Sequence, residues 1–150
     1  RLAKEAGTWN WELQTNWRSP GFETNDLSTL SRVDYKWMSA NLQRNWVTPT
    51  RWYRSMSLLA GGQQQFNYDG LRTDQQKQAY FGLELPNYWN VRTFAIQKSN
   101  TDDDRLTRGG PVVQNPGWTF GHFQVSTDSR QRAVFDIGLD VALPRGLRGA

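Results

Sequence analysis

Three adjacent carboxylates, Asp102, Asp103 and Asp104, stand within Asn100–Pro111, and carboxylate oxygens are what a hard cation such as Ca²⁺ takes as ligands. An EF-hand loop needs such ligands at alternating positions and a bidentate Glu further on. This stretch has neither, so the three remain the only candidate metal ligands, and no metal or cofactor is expected. His122 is the single histidine of the chain, and no nucleophile triad or histidine metal cluster assembles around it by spacing; it reads as a wall residue. Glu12, Glu84, Asp136 and Asp140 offer carboxylates of the kind that hydrolyse glycosides in pairs. Each, however, lies inside a strand-like run where a polar residue is needed for other reasons, so no catalysis is expected. Arg18, Arg32, Arg54 and Arg92 are similarly placed and fit a charged interior. The Trp side chains could stack on sugar rings.

Composition narrows what holds these residues. The 150 residues are only 37% hydrophobic, yet include 8 Trp, 7 Phe and 5 Tyr, an aromatic content that must be buried or otherwise sheltered and that argues against disorder. The 18 Lys and Arg exceed the 14 Asp and Glu by a formal +4 with no basic block, and no basic track runs beside the aromatics, so nucleic acid is not an expected partner. The absence of Cys removes disulfides, thiolate zinc sites and cysteine nucleophiles. No run approaches the roughly 18 apolar residues of a membrane-spanning helix, so any crossing of a bilayer is by strands. Arg1-Leu2-Ala3-Lys4 shows no signal-peptide pattern, and a mature chain or a fragment is expected.

Alternation with period two recurs along the chain and marks strands. Trp9, Trp11, Leu13, Thr15 and Trp17 share one face, with Asn10, Glu12, Gln14, Asn16 and Arg18 on the other. A second strand is expected over Ser31–Trp46, with Val33, Tyr35 and Trp37 opposite Asp34 and Lys36, a pattern that Met38, Ala40 and Leu42 blur. A third, Trp52–Tyr68, sets Met56, Leu58, Ala60, Phe66 and Tyr68 against Ser55, Ser57, Gln63, Gln65 and Asn67. A fourth, Thr73–Leu85, sets Ala79, Phe81, Leu83 and Leu85 against Gln76, Gln78 and Glu84. Trp89–Lys98, Gly117–Thr127 and Ala133–Leu143 complete the set; the last places Phe135, Ile137, Leu139, Val141 and Leu143 opposite Asp136 and Asp140.

The connections alternate in length. Short ones at Val47–Arg51, Pro86-Asn87 and Asp128–Arg130 alternate with longer ones at Ser19–Leu30, Tyr68–Arg72 and Ser99–Pro116, an asymmetry typical of membrane barrels. The strands are also longer than the roughly 5 or 6 residues of soluble sheets and match the about 9 to 11 that cross a bilayer at a tilt. Trp17, Trp46, Trp52, Tyr68, Trp89 and Trp118, together with Tyr88, fall near strand ends, where interfacial aromatic girdles sit. The expected fold is therefore all-β: an antiparallel up-and-down meander of about 7–8 long strands, forming part of a transmembrane β-barrel. Residues 1–150 are one barrel segment, expected to belong to a longer barrel because bacterial barrels close with an even strand number. Arg105 and Arg108 would pair with the acids of the long loop. Gly109, Gly110 and Pro111 would turn it back over the barrel mouth as a plug.

Ser19-Pro-Gly-Phe-Glu-Thr-Asn-Asp-Leu27 followed by Arg32-Val-Asp34, then Pro49-Thr-Arg-Trp-Tyr-Arg-Ser55, and Asp104-Arg-Leu-Thr-Arg-Gly-Gly-Pro111 resemble, in order and spacing, the C-terminal region of the DUF5916 family. The resemblance covers about Trp9 to Arg132. It implies a bacterial protein in which a carbohydrate-binding family 9-like module precedes an outer-membrane barrel, and so implies location and fold rather than a reaction. The expected role is solute passage, docking or anchoring of that module in the outer membrane of a Gram-negative-type bacterium. Outer-membrane lipid, glycans and the remaining barrel strands are the expected partners. The alternative is a soluble all-β carbohydrate-binding domain using exposed Trp residues.

Overall fold

The computed structural model describes residues 1–21, 33–107 and 110–146. Ten strands lie among them: β1 (Leu2–Lys4), β2 (Trp9–Arg18), β3 (Tyr35–Trp46), β4 (Ser55–Phe66), β5 (Arg72–Glu84), β6 (Asn90–Lys98), β7 (Thr101–Asp103), β8 (Val113–Asn115), β9 (Trp118–Ser126) and β10 (Asp136–Pro144). Eight form one antiparallel sheet in the order β1-β2-β3-β4-β5-β6-β9-β10, and β7 and β8 pair with each other. The sheet is thus an all-β meander without helices among the described residues. It is open: β1 and β10 are its two edges.

The seven strands that alternation marks recur as β2–β6, β9 and β10, each 9 to 13 residues long. The eighth strand of the sheet, β1, is only 3 residues long, too short to carry a period. Two boundaries differ from expectation for local reasons. The second strand starts at Tyr35 rather than Ser31, after Asp34 in a left-handed conformation (φ 61) that interrupts an extended run; Ser31 and Arg32 lie outside the described residues. The third starts at Ser55 rather than Trp52, because the Thr50 hydroxyl accepts hydrogen bonds from the Trp52 and Tyr53 amides and folds that stretch into a turn.

Register sorts the side chains into two faces. The row Trp11, Leu42, Ala60, Ala79, Ala95, Gly121 and Val141 crosses the sheet from β2 to β10 on one face. Its counterpart on the other runs through Gln14, Ser39, Gln63, Gln76 and Lys98. The apolar face is the more exposed one. In β3, Lys36, Met38, Ala40 and Leu42 are exposed, whereas Tyr35, Trp37, Ser39, Asn41 and Gln43 are part-buried. This corrects the face of three residues: Tyr35 and Trp37 belong with the polar set, and Lys36 with the apolar one. The sheet therefore curls with its polar face inward. No hydrophobic side chain among the described residues is buried. The accessible surface, 10824 Å² for 17.4 kDa, compares with roughly 7,900 Å² for a soluble monomer of that mass.

All connections 47–54, 85–89 and 127–135 fall at one end of the sheet, here the lower rim. Connections 19–34, 67–71 and 99–117 fall at the other, the upper rim. Tyr68–Arg72 is not the longer loop expected. Segment 67–71 is a tight turn closed by Asn67, whose amide donates to the Leu71 carbonyl and whose Oδ1 accepts from the Leu71 amide, with Gly70 at φ 87. The length asymmetry rests on 19–34 and 99–117.

Candidate functional site: the inward polar face and its rims

Amides dominate the inward face. Gln63 Nε2 on β4 donates to Asp74 Oδ2 on β5 at 2.9 Å, and Gln78 Nε2 on β5 donates to Asn41 Oδ1 on β3 at 3.1 Å. The second bond passes over Gly61 of β4, the residue between them in register; a Cβ there would stand 2.0 Å from Asn41 Oδ1. Beside this bond the inward face holds a hollow of about 160 Å³, lined by Ser39 and Gly62 and bordered by Gln14, Trp37, Gln63, Gln76 and Gln78. A second recess of about 320 Å³ lies toward the lower rim around Ser57, Tyr80, Gly82, Glu84 and Arg92. The Tyr80 ring packs against Gly82, where a Cβ would meet its hydroxyl at 2.8 Å.

The four strand carboxylates share the inward face without meeting. Glu12 binds Arg1 at 3.0 Å, and Glu84 accepts from Arg54 Nε at 3.2 Å and Ser55 Oγ at 3.3 Å. Asp136 accepts from Gln124 and Ser126, and Asp140 lies 2.5 Å from His122 Nδ1. Glu84 and Asp136 occupy one register row but are separated by β6 and β9, about 14 Å along the sheet at normal strand spacing. Glycosidase pairs stand at about 5 to 9.5 Å. His122 also stacks on Phe94, ring centroids 5.1 Å apart, which packs it against β6. Of the strand arginines, Arg18 and Arg92 sit in the inward register, Arg54 precedes β4, and Arg32 lies outside the described residues.

The lower rim is tied together by a cluster that sequence reasoning missed. Guanidinium groups of Arg54 and Arg130 both lie over the Tyr88 ring, 3.9 and 3.2 Å from its centroid, so one aromatic joins three separate turns. Arg130 is also bidentate on Asp128, at 2.8 and 2.7 Å, and these bonds, with the Arg130 amide, hold the Asp128 carboxyl far below the ordinary carboxylate range. Only spacing across three turns connects these residues, and no linear motif carries it.

At the upper rim, the register of β7 with β8 continues that of β6 with β9: Lys98 opposes Trp118, and Thr101 opposes Asn115. The long loop therefore prolongs the β6–β9 hairpin upward, and among the described elements β7 touches only β5 and β8. Asp102, Asp103 and Asp104 do not converge. Asp103 accepts from the Arg105 and Leu106 amides and from Asn115, which lowers its pKa chiefly through the two backbone bonds, while Asp104 accepts from Asn67 at 3.2 Å. No group of three potential metal-binding side chains occurs among the described residues. Gly110 donates to the Thr107 carbonyl and Pro111 accepts from the Thr107 hydroxyl; Arg105 precedes this stretch, and Arg108 and Gly109 lie outside the described residues.

The six end-of-strand aromatics divide. Trp17 is 66% exposed at the upper end of the apolar face, and Trp46 lies at its lower end. Trp52, Tyr68 and Trp89 sit in the connections, and Trp118 opens β9 in the inward register. Cations accompany these aromatics: Arg44 lies 5.0 Å from the Trp9 ring and 4.5 Å from that of Trp46, and Lys36 lies 4.4 Å from that of Tyr68.

Comparison with curated proteins and with solved structures returns no match. One family profile, described as a domain of unknown function, matches residues 1–145. That match spans every strand of the sheet. The chain therefore belongs to the DUF5916 family.

Proposed function

We propose that the chain is a segment of a transmembrane β-barrel in the outer membrane of a Gram-negative-type bacterium, with its apolar face toward lipid and its polar face lining a lumen for solute passage. The observation that carries this reading is the inverted burial: aliphatic and aromatic side chains populate the exposed face, and none is buried among the described residues. In water such a face has no compensation, whereas in a bilayer it meets acyl chains. A second feature agrees with it. The row through Leu13, Ala40, Gly62, Lys77 and Gln97 starts apolar and ends polar, as a level lipid belt requires when tilted strands carry register rows obliquely across it.

Closure needs further strands. The backbone of Phe135 and Arg145 bonds toward β9, so by antiparallel geometry the groups of Asp136, Gly138, Asp140 and Ala142 face away from it. Each unpaired group in lipid costs several kcal/mol, and the remaining barrel strands would pair there. The long upper connections 19–34 and 99–117 would face outward, and the shorter lower ones the periplasm. Anchoring of a preceding carbohydrate-binding module is part of this proposal. The soluble carbohydrate-binding alternative is less favoured, because Trp9, Trp11, Trp17 and Trp46 share the apolar face with a continuous belt of aliphatics rather than forming a polar-rimmed platform.

The test is to refold the full-length protein into lipid vesicles. A band whose migration changes on heating, with a requirement for detergent or lipid, supports the barrel; ion conductance across a planar bilayer then separates an open lumen from a plugged one. A protein that is monodisperse in buffer without detergent overturns the reading.

A further inference from the structure

The hollow at Ser39 and Gly62 is chemically selective. Gln63 and Gln78 are fixed by their bonds to Asp74 and Asn41. Nothing among the described residues bonds the side chains of Gln14, Ser39 or Gln76 or the Trp37 indole. Among the described residues, the single charged group on its border, Glu12, is compensated by Arg1 at 3.0 Å. Donors and acceptors are thus presented around a flat aromatic surface with no net local charge. An ion would find no countercharge there, and a purely apolar solute would leave the amides unpaired, at a cost that disfavours it.

We propose that this hollow is a binding subsite for a neutral polyhydroxylated solute, with one sugar-sized ring against the Trp37 indole and its hydroxyls on Gln14, Ser39 and Gln76. The volume of about 160 Å³ is on the scale of one such ring, and the site lies on the wall that solute would pass. The inference rests on the barrel reading and names the solute class for its lumen. An aromatic face with a few placed polar groups is the usual construction of a small-molecule site, and the indole supplies apolar contact together with an N–H donor.

The experiment is calorimetric titration of the refolded full-length protein with maltotriose, and with lactobionate as an anionic saccharide of similar size. Maltotriose should bind, and lactobionate at least tenfold more weakly. Trp37→Ala should weaken maltotriose binding at least tenfold and Trp37→Phe much less. Ser39→Leu, which fills the floor of the hollow and keeps the indole, should also weaken it at least tenfold, so the proposal does not depend on the folding of one variant. Heat-modifiable migration of the same samples reports the barrel separately. Absence of maltotriose binding by a heat-modifiable protein, equal binding of lactobionate, or full affinity in both Trp37→Ala and Ser39→Leu overturns the subsite and leaves the barrel standing. A protein with no heat-modifiable form overturns both.

Discussion

Gln78 on β5 reaches Asn41 on β3 at 3.1 Å across the full width of β4, and it does so because Gly61 puts no side chain between them. Gly61→Ala would set a methyl 2.0 Å from Asn41 Oδ1 and 2.8 Å from the Ala40 carbonyl oxygen. The side chain can swing away but the carbonyl is held in the sheet, so the substitution should destabilise by about 1–3 kcal/mol, the usual range for overpacking. Urea unfolding of the full-length protein in vesicles measures it, and unchanged stability would mean that β4 does not approach β3 this closely.

Leu58 and Leu59 are chain neighbours on opposite faces. Leu58 shares the exposed row of Phe81 and Phe123, and Leu59 shares the inward row of Gln43 and Tyr80. If the outward face meets lipid, Leu58→Arg should cost about 2–4 kcal/mol near the midplane, while Leu59→Arg enters a wet lumen and should cost much less. Equal losses in the two variants would contradict the assignment of faces. A soluble fold with an apolar core under Leu59 would reverse their order.

The long strands were legible in the sequence through alternation, unbroken in Trp9 to Trp17 and in Ala133 to Leu143 and blurred in the second strand. Alternation alone does not say which face is inside. Tyr35 and Trp37 attracted an apolar assignment by residue type, yet counting back by two from Leu42 through Ala40 and Met38 places them with Ser39 and Asn41. β1 escaped because 3 residues show no period. The lower-rim cluster and the hollow were illegible for another reason: Arg54, Tyr88 and Arg130, like Gln14, Ser39 and Gln76, meet only through register, which is a property of the assembled sheet.

Asp128 and Arg130 predict an acid response confined to low pH. Hydrogen bonds from Arg130 depress the Asp128 pKa in the folded protein, so the carboxylate form stabilises the 127–135 turn above the unfolded pKa of about 3.9. That contribution declines as pH falls from there through the lower folded pKa. Carbon-detected NMR titration of the Asp128 carboxyl in the full-length protein should find its midpoint well below the ordinary range. In Arg130→Gln the midpoint should move back up; a normal midpoint in the unaltered protein would show that the bidentate pair does not persist in solution.

Tyr88 stands in tension between its ring and its backbone. The ring lies under both Arg54 and Arg130, but the residue has φ 65, a left-handed conformation that costs a side-chain-bearing residue about 1–2 kcal/mol. Tyr88→Ala loses the cation–π contacts, each worth about 0.5–1 kcal/mol at exposed sites, and keeps the strain. Tyr88→Gly loses the same contacts and releases it. Glycine should therefore be the milder substitution, by about 1 kcal/mol, although in an ordinary extended position it would be the harsher. Unfolding of both variants in vesicles decides the point: if alanine is the milder, then the 85–89 turn does not hold the backbone at Tyr88 in this conformation, and the ring alone accounts for the residue.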